Sequence, residues 1–303
     1  MSAVALAPDR FADLTGGRIC YRDDGAPNAP AVFLIAGLGM QLIEWPDTLV
    51  AGLAARFRVI RLDNRDSGLS ARCGGPFTQI PAGFSWAGSA PALAPYDLTH
   101  LAQDVLDLAD HLHIGRFAAI GFSMGGMIAQ LLAVQAPQRL TGLISLSSTG
   151  GDANITADAA SMQLMERFFL PFPSEAAGIA TICASNAHFS LGQMPLHSAE
   201  NRDLATALIR RALDNGGYLR QALAITTTPP WKAALTRQTI PALLVHGAQD
   251  PCIHSSAAQD LAAEMPNAQF SLRPGLGHWM DDQTGRACLD WLMRHAPAPN
   301  AIL

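Results

Sequence analysis

Arg116-Phe117-Ala118-Ala119-Ile120-Gly121-Phe122-Ser123-Met124-Gly125-Gly126-Met127-Ile128-Ala129-Gln130 is the stretch on which the fold turns. Residues 116–121 form a short apolar run, as expected of a strand buried on both faces. Gly125 to Gln135 reads as a helix, ended by Pro137. Between them, Gly121-Phe122-Ser123-Met124-Gly125 matches G-x-S-x-G. A strand that turns into a helix this abruptly strains the backbone at the central residue, and glycines on either side remove the Cβ clashes. The serine then stands above the sheet at a helix N-terminus. A bare G-x-S-x-G arises often by chance, so the strand before it and the helix after it carry the weight.

The same alternation extends in both directions. Phe11–Leu14 and Arg18–Tyr21 read as a hairpin turned at Thr15-Gly16-Gly17. Ala31–Ala36 is a buried strand, a helix-like stretch covers Trp45 to Arg56, and Phe57–Leu62 is the next strand. Leu98 to His113 is helical, with Leu101, Val105, Leu108 and Leu112 on one face and Asp97 or Thr99 to cap it. Leu143–Leu146 is a further strand. The pattern then stops: roughly 152–230 is mainly helical, with no clear buried strand. It resumes with a strand at Ile240–Val245, a helix near Ala257–Glu264, a strand at Gln269–Leu272 and a helix near Thr284–His295. Strand–helix alternation implies an α/β fold with a mostly parallel central sheet and helices on both faces. We expect three segments: a first core part over 1–151, a helical cap over 152–230 inserted above the strand ends, and a second core part over 231–303. The long loop from Ala71 to Pro95 carries Phe77, Phe84 and Trp86 and is either functional or a solvent-side excursion. The tail from Pro297 is expected to fray.

The chain has 303 residues, of which 49% are apolar and 15% charged, with a net charge of -5. That is enough to bury a large core. The low charged fraction leaves room for a partner-covered face, as in a homodimer. Mild acidity and the absence of a basic patch argue against nucleic acid and anionic membranes as partners. No apolar stretch is long enough to span a bilayer, and the N-terminus lacks a basic segment followed by an apolar signal core. Cys20, Cys73, Cys183, Cys252 and Cys288 are scattered and odd in number, without redox or metal-ligand spacing. The expected setting is the cytoplasm, and no metal or other cofactor is implied.

A serine hydroxyl needs an adjacent base, and the base needs an orienting acid; in a fold of this kind the chain order is Ser, acid, His. Ala248-Gln249-Asp250-Pro251 follows the strand that ends at Val245-His246-Gly247, which places Asp250 at the same sheet edge as Ser123. Asp250 could instead merely cap the next helix, and Asp152, after the preceding strand, is the rival acid. Pro274-Gly275-Leu276-Gly277-His278-Trp279 puts His278 on a glycine-rich loop after the last strand, from which an imidazole reaches across to Ser123. His111 and His113 precede the nucleophile. His246 ends a buried strand and reads as a satisfied core histidine. His188 and His197 fall in the cap. For the oxyanion hole, one backbone donor follows the nucleophile, at Met124, and the second comes from the loop Ala36-Gly37-Leu38-Gly39-Met40. Leu38 is the expected donor, with Gly39 as the alternative.

The run Gly37-Leu38-Gly39, then Trp45-Pro46, then Asp63-Asn64-Arg65-Asp66-Ser67-Gly68-Leu69-Ser70, then Gly121 to Gln130 resembles bacterial α/β-hydrolases of the aclacinomycin methylesterase-like group. The resemblance covers the core from about residue 11 to 295, and the cap only in size and helical character. It implies a serine esterase without a cofactor, taking a small-molecule ester. In this reading Asp63–Ser70 is structural, and Arg65 and Asp66 hold the oxyanion loop by ion pairing. Lactonases, peptidases, thioesterases and carbon–carbon bond hydrolases share the fold, as do non-catalytic hormone receptors, so fold alone does not choose the reaction.

The cap's Met162, Leu164, Met165, Phe168, Phe169, Leu170 and Phe172 supply adaptable apolar walls, although cap packing accounts for most of them equally well. Phe168, Phe169 and Trp279 are the expected substrate contacts, with Phe77, Phe84 and Trp86 as an apolar rim. A preference for neutral, apolar or bulky esters follows. Arg167, Arg210 and Arg211 are the cap cations that would overturn it by facing the site.

Overall fold

The computed structural model describes residues 7–151, 157–212 and 215–295. Eight strands among these form one sheet in the order β1-β2-β4-β3-β5-β6-β7-β8. Strands β1 (Arg10–Leu14) and β2 (Gly17–Asp24) are the hairpin; β2 runs antiparallel to β4 (Arg58–Leu62). From β4 onward every pair is parallel, through β3 (Ala31–Ile35), β5 (Phe117–Phe122), β6 (Leu140–Leu146), β7 (Ala242–Gly247) and β8 (Ala268–Arg273). The sheet is therefore the expected mostly parallel one.

Alternation along the central strands divides the core. Phe33 and Ile35 of β3 and Phe117 and Ala119 of β5 face one apolar layer; Val32, Leu34, Ala118 and Ile120 face the other. Helices α2 (Leu98–His111) and α3 (Met124–Gln135) close the first layer with Leu101, Val105, Ile128 and Leu132. Helices α1 (Asp47–Ala54) and α10 (Asp282–His295) close the second with Leu49, Leu53, Trp291 and Leu292. Asp97 caps α2 by accepting the Thr99 N–H at 2.9 Å.

The boundaries move where local chemistry differs from hydrophobic pattern. The helix expected from Trp45 starts later: α1 begins only after Pro46, and a separate 3-10 turn covers Leu42–Glu44 before it. Pro46 lacks an N–H, so it suits a helix start and not a helix interior. Strand β7 runs to Gly247 and not Val245, because His246 and Gly247 still pair with Leu272 and Arg273. The 71–95 segment is irregular apart from a 3-10 turn at Pro91–Leu93.

Between β6 and β7 the described chain is helical: α4 (Ala159–Glu166), α5 (Glu175–Phe189), α6 (Ala199–Ala212) and α7 (Asn215–Thr227). Phe168, Ile182, Cys183, Ala205 and Leu208 give this insertion an apolar cluster of its own. The short helix α8 (Lys232–Leu235) precedes β7, and α9 (Ser256–Glu264) follows it. A cavity of about 1030 Å³ lies between the helical insertion and the C-terminal ends of the strands. No helix among the described residues is long and apolar enough to cross a membrane.

Candidate active site

The turn from β5 into α3 is the strained element that the sequence implies. Ser123 sits at φ 54, ψ -118, a conformation that L side chains rarely adopt. A Cβ at Gly121 would lie 2.0 Å from Gly125 O, and one at Gly125 would lie 1.9 Å from Ile35 O, so both positions admit only glycine. The turn is held from the neighbouring strand: Ser123 N–H donates to Leu146 O at 2.8 Å, and Ser148 Oγ donates to Ser123 O at 2.8 Å. Ser123 thereby lines the cavity at the N-terminus of α3.

Asp250 stands beyond the end of β7, fully buried, with each carboxylate oxygen assigned. Oδ1 accepts the N–H groups of Cys252 and Ile253, both at 2.8 Å. Oδ2 receives His278 Nδ1 at 2.7 Å and His246 Nε2 at 3.2 Å. Burial opposes ionisation of Asp250, but the charge of His278 and the hydrogen bonds from His246 and His278 outweigh it and hold the carboxyl well below the usual range. With Nδ1 committed to Asp250, His278 has Nε2 left for the cavity that it shares with Ser123. Its ring lies 5.0 Å from that of Phe122, beside the nucleophile's turn. Among the described residues Ser123 Oγ has no hydrogen-bond partner within 3.5 Å.

His246 is the site residue that the sequence reading passed over. It is a buried histidine, as expected, but its Nε2 donates both to Ile253 O at 2.8 Å and toward Asp250. Its position four residues before the acid, at the end of the same strand, was the available signal. Asp152, the rival acid, lies outside the described residues.

The loop after β3 carries both expected oxyanion donors, and their surroundings differ. Gly39 N–H is taken by Gln221 Oε1 at 2.8 Å, whereas Leu38 N–H has no partner among the described residues, and Leu38 lines the cavity. The expectation that Arg65 and Asp66 hold this loop by ion pairing is corrected. Arg65 forms a two-point pair with Asp104 of α2, both contacts at 2.6 Å. Asp66 accepts from Arg220 at 2.8 Å and from the Tyr96 hydroxyl at 2.7 Å. The loop is held instead by neutral groups: Asn64 Nδ2 donates to Ala36 O at 2.9 Å, and Ser67 Oγ donates to Met40 O at 2.6 Å. Carbonyls and amides need donors and acceptors more than charges, which is why a charge-based expectation missed them.

The cavity wall contains Trp86, Phe168, Tyr218, Phe189 and Trp279, with Met127, Met165 and Ile225 between them. Phe168 and Trp279 are where the sequence expects them. Phe169 is not: it is fully buried, packed at 5.0 Å against Phe84 and 5.8 Å against Trp86, and backs the wall without forming it. Of the loop aromatics only Trp86 reaches the cavity; Phe84 supports it at 5.3 Å, and Phe77 lies 5.9 Å from Arg220. None of Arg167, Arg210 and Arg211 lines the cavity. Arg211 is turned to Asp63 at 2.8 Å and Asp9 at 3.3 Å, and Arg210 pairs with Glu175 at 3.0 Å. The charged lining is Glu44, Asp47, Glu200, Asp281 and Asp282 against Arg286, an acidic excess.

Glu44 carries a prediction of its own. Burial, with nearby Asp63 adding to it, pushes its carboxyl from 4.5 up to about 7, against the Gln41 N–H that it accepts at 2.6 Å. A carboxyl with a raised folded pKa stabilises fully below its unfolded value, and that stability is lost as pH rises through the folded one. Glu44→Gln keeps an acceptor for Gln41 N–H and removes the titration. Its melting temperature relative to wild type is therefore expected to rise between pH 4.5 and about 7 and then level off. Parallel thermal unfolding curves for the two proteins at pH 4.5 and pH 8 check this; an unchanged difference would show that Glu44 ionises freely.

The comparisons with known proteins agree with this geometry. The family profile described as the alpha/beta hydrolase fold matches residues 30–281. Rhodomycin D methylesterase from Streptomyces peucetius is 29% identical over 273 residues, covering 84% of this chain and 86% of the relative. The pimeloyl-[acyl-carrier protein] methyl ester esterase of Nitrosomonas europaea is 26% identical over 263 residues, covering 83% and 89%. Among solved structures, a hydrolase from Pseudomonas aeruginosa superposes with a TM-score of 0.74 at 24% identity, covering 96% of this chain and 98% of that one. A sheet of this order, a strained serine turn after its central strand and a family match over most of the length converge on one assignment: the chain belongs to the α/β-hydrolase fold family.

Proposed function

We propose that the protein is a carboxylic-ester hydrolase that works through an acyl-enzyme on Ser123 and takes neutral, apolar or bulky esters. The observation that carries this reading is the 2.7 Å bond from His278 Nδ1 to Asp250, made at the edge of the cavity in which Ser123 stands. It fixes the imidazole as the tautomer whose Nε2 accepts a proton. Ser123 Oγ attacks the ester carbonyl while His278 takes its proton. The N–H groups of Met124 and Leu38 receive the oxyanion. His278 then protonates the departing alkoxide, and the alcohol leaves. A water, deprotonated by His278, attacks the acyl group, and the proton returns to Ser123 as the acid departs. The two methyl-ester-cleaving relatives support an ester as the bond broken.

A fluorophosphonate probe tests the class. Stoichiometric labelling of Ser123 is expected. Tight ester binding without labelling or turnover would instead mark a ligand-binding member of the fold.

Substrate choice follows from the wall. Apolar side chains dominate it, and its carboxylates outnumber Arg286, so an anionic acyl group is disfavoured. Along a series of p-nitrophenyl esters, kcat/KM is expected to rise with each methylene, by up to ~0.8 kcal/mol, until the pocket is full. A dicarboxylic half-ester should be slower than its neutral isostere. If it were faster, Arg286 would be clamping the carboxylate and the apolar-pocket reading would fail.

A further inference from the structure

We propose that cap helix α7 sets the oxyanion loop through Gln221, a positioning residue that commits Gly39 N–H and so leaves Leu38 N–H as the loop's donor to the reacting oxygen. The proposal rests on the esterase reading above and deepens it.

Gln221 is fully buried, and both ends of its amide are used across two different segments. Its carbonyl accepts Gly39 N–H at 2.8 Å, and its amide donates to Arg65 O, also at 2.8 Å. A primary amide removed from water is costly unless donor and acceptor are both satisfied. Here they are satisfied only if the loop after β3 and the loop after β4 keep one spacing. The bridge is also neutral. A charged residue at this place would impose a field on the oxygen that the site is built to stabilise.

The rest of α7 holds Gln221 in register. Arg220 binds Asp66 at 2.8 Å and Gly75 O at 2.7 Å, which fastens the helix to the segment after β4. Tyr218, one turn earlier, packs so tightly on Gly39 that a Cβ there would lie 2.2 Å from its ring. Gly39 is thus pressed by one side chain of α7 and hydrogen-bonded by another. Asn64 holds Ala36 O and Ser67 holds Met40 O, and of the two expected donors Gly39 N–H is taken while Leu38 N–H has no partner among the described residues. The insertion is therefore more than a lid that shapes the substrate pocket. Its last helix completes the catalytic floor.

The energetic consequence is confined to the transition state. Negative charge on the carbonyl oxygen exists only there, so a loosened donor lowers kcat and leaves ground-state binding alone. Removal of one oxyanion donor costs roughly 10²–10³-fold. Loosening a donor that remains present should cost less, on the order of 10- to 100-fold by the same reasoning.

The test uses full-length wild type, Gln221→Met and Gln221→Glu, with p-nitrophenyl butyrate as substrate and butaneboronic acid as the tetrahedral analogue. For Gln221→Met, kcat is expected to fall about 10- to 100-fold with KM within about twofold, and boronate affinity to weaken in parallel with kcat. Gln221→Glu keeps an acceptor for Gly39 N–H but loses the donor to Arg65 O and adds a negative charge, so it should not recover kcat. Faster hydrogen exchange at the Gly39 amide in the Met variant would accompany the loss. If the Met variant does not fold, Gln221→Asn, whose shorter arm cannot span both partners, carries the same expectations. Unchanged kcat and boronate affinity would overturn the proposal, as would a loss that appears in KM alone. Wild type that neither hydrolyses esters nor labels at Ser123 would instead overturn the esterase reading.

Discussion

Ser123→Ala and His278→Ala are each expected to lower kcat/KM by on the order of 10⁴-fold or more, and the double variant to be little worse than either. The reason is that the two side chains perform one event. Without Oγ there is no covalent route for His278 to assist, and without the imidazole Ser123 stays a neutral alcohol at physiological pH. What survives in all three variants is substrate binding and the N–H groups of Met124 and Leu38, so the residual rates should converge. Ser123 lines a preformed cavity and its turn is held by backbone contacts to β6 and by Ser148, so losing one hydroxyl leaves the turn in place. Steady-state kinetics on one ester, with melting temperatures to show that the variants fold, decide the matter. Losses that multiply in the double variant would mean that the residues act independently. Near wild-type turnover in His278→Ala would remove His278 from the mechanism.

Asp250→Asn should be almost as damaging, about 10⁴-fold in kcat, and the arrangement around the carboxylate says why. Oδ1 accepts two backbone N–H groups, and Oδ2 receives two imidazole nitrogens. An amide has one acceptor end. Turned one way, its NH₂ faces Cys252 and Ile253 N–H; turned the other, it faces His278 and His246. Either choice opposes donor to donor, and the second flips the tautomer of the base. Asparagine also cannot stabilise the imidazolium that forms during attack. A stability signature should accompany the kinetic one. Because the folded carboxyl is held well below 3.8, its contribution is complete above that value and is lost as pH falls below it toward the folded pKa. Asp250→Asn should therefore lose stability near neutral pH and show a weaker further loss on acidification than wild type. Activity and thermal unfolding from pH 3 to pH 8 would show both. Asp152→Asn is expected to leave turnover intact; if that variant were the damaged one, the acid would be misplaced.

The serine's surroundings were readable early because they are local. A strand, a turn that tolerates only glycine at two positions, and a helix are encoded within fifteen consecutive residues, and Gly121 and Gly125 report a backbone clash that no distant partner can relieve. The same holds for most strands and helices, whose apolar periodicity survives without knowledge of what packs against them. Asp250 and His278, the proposed acid and base, are legible as neighbours for a related reason: each follows a strand whose place in a parallel sheet comes from the alternation. Sequence therefore sufficed for the mostly parallel sheet with its helices, and it offered Ser123, Asp250 and His278 as the candidates on which the proposed mechanism is built.

What tertiary structure alone decided are contacts between segments far apart in the chain. Nothing near Gln221 in sequence suggests that its amide bridges Gly39 N–H and Arg65 O, because a buried glutamine in a helix looks like any other until its two partners are known. His246 was recognised as buried but not as the second donor to Asp250, since a strand-end histidine shows its burial in the pattern and its hydrogen bonds only in space. Phe169 and Phe168 are adjacent and chemically identical, yet one backs the cavity and the other faces it; successive helix-flanking residues point in different directions, and the packing of the insertion sets which one lines the cavity. The resemblance implied that Arg65 and Asp66 hold the loop after β3 by ion pairing, whereas complementary charges on α2 and α7 claim them. Local sterics are written in neighbouring residues; hydrogen-bond partners and cavity walls depend on how the segments are brought together, and that is a property of the folded chain.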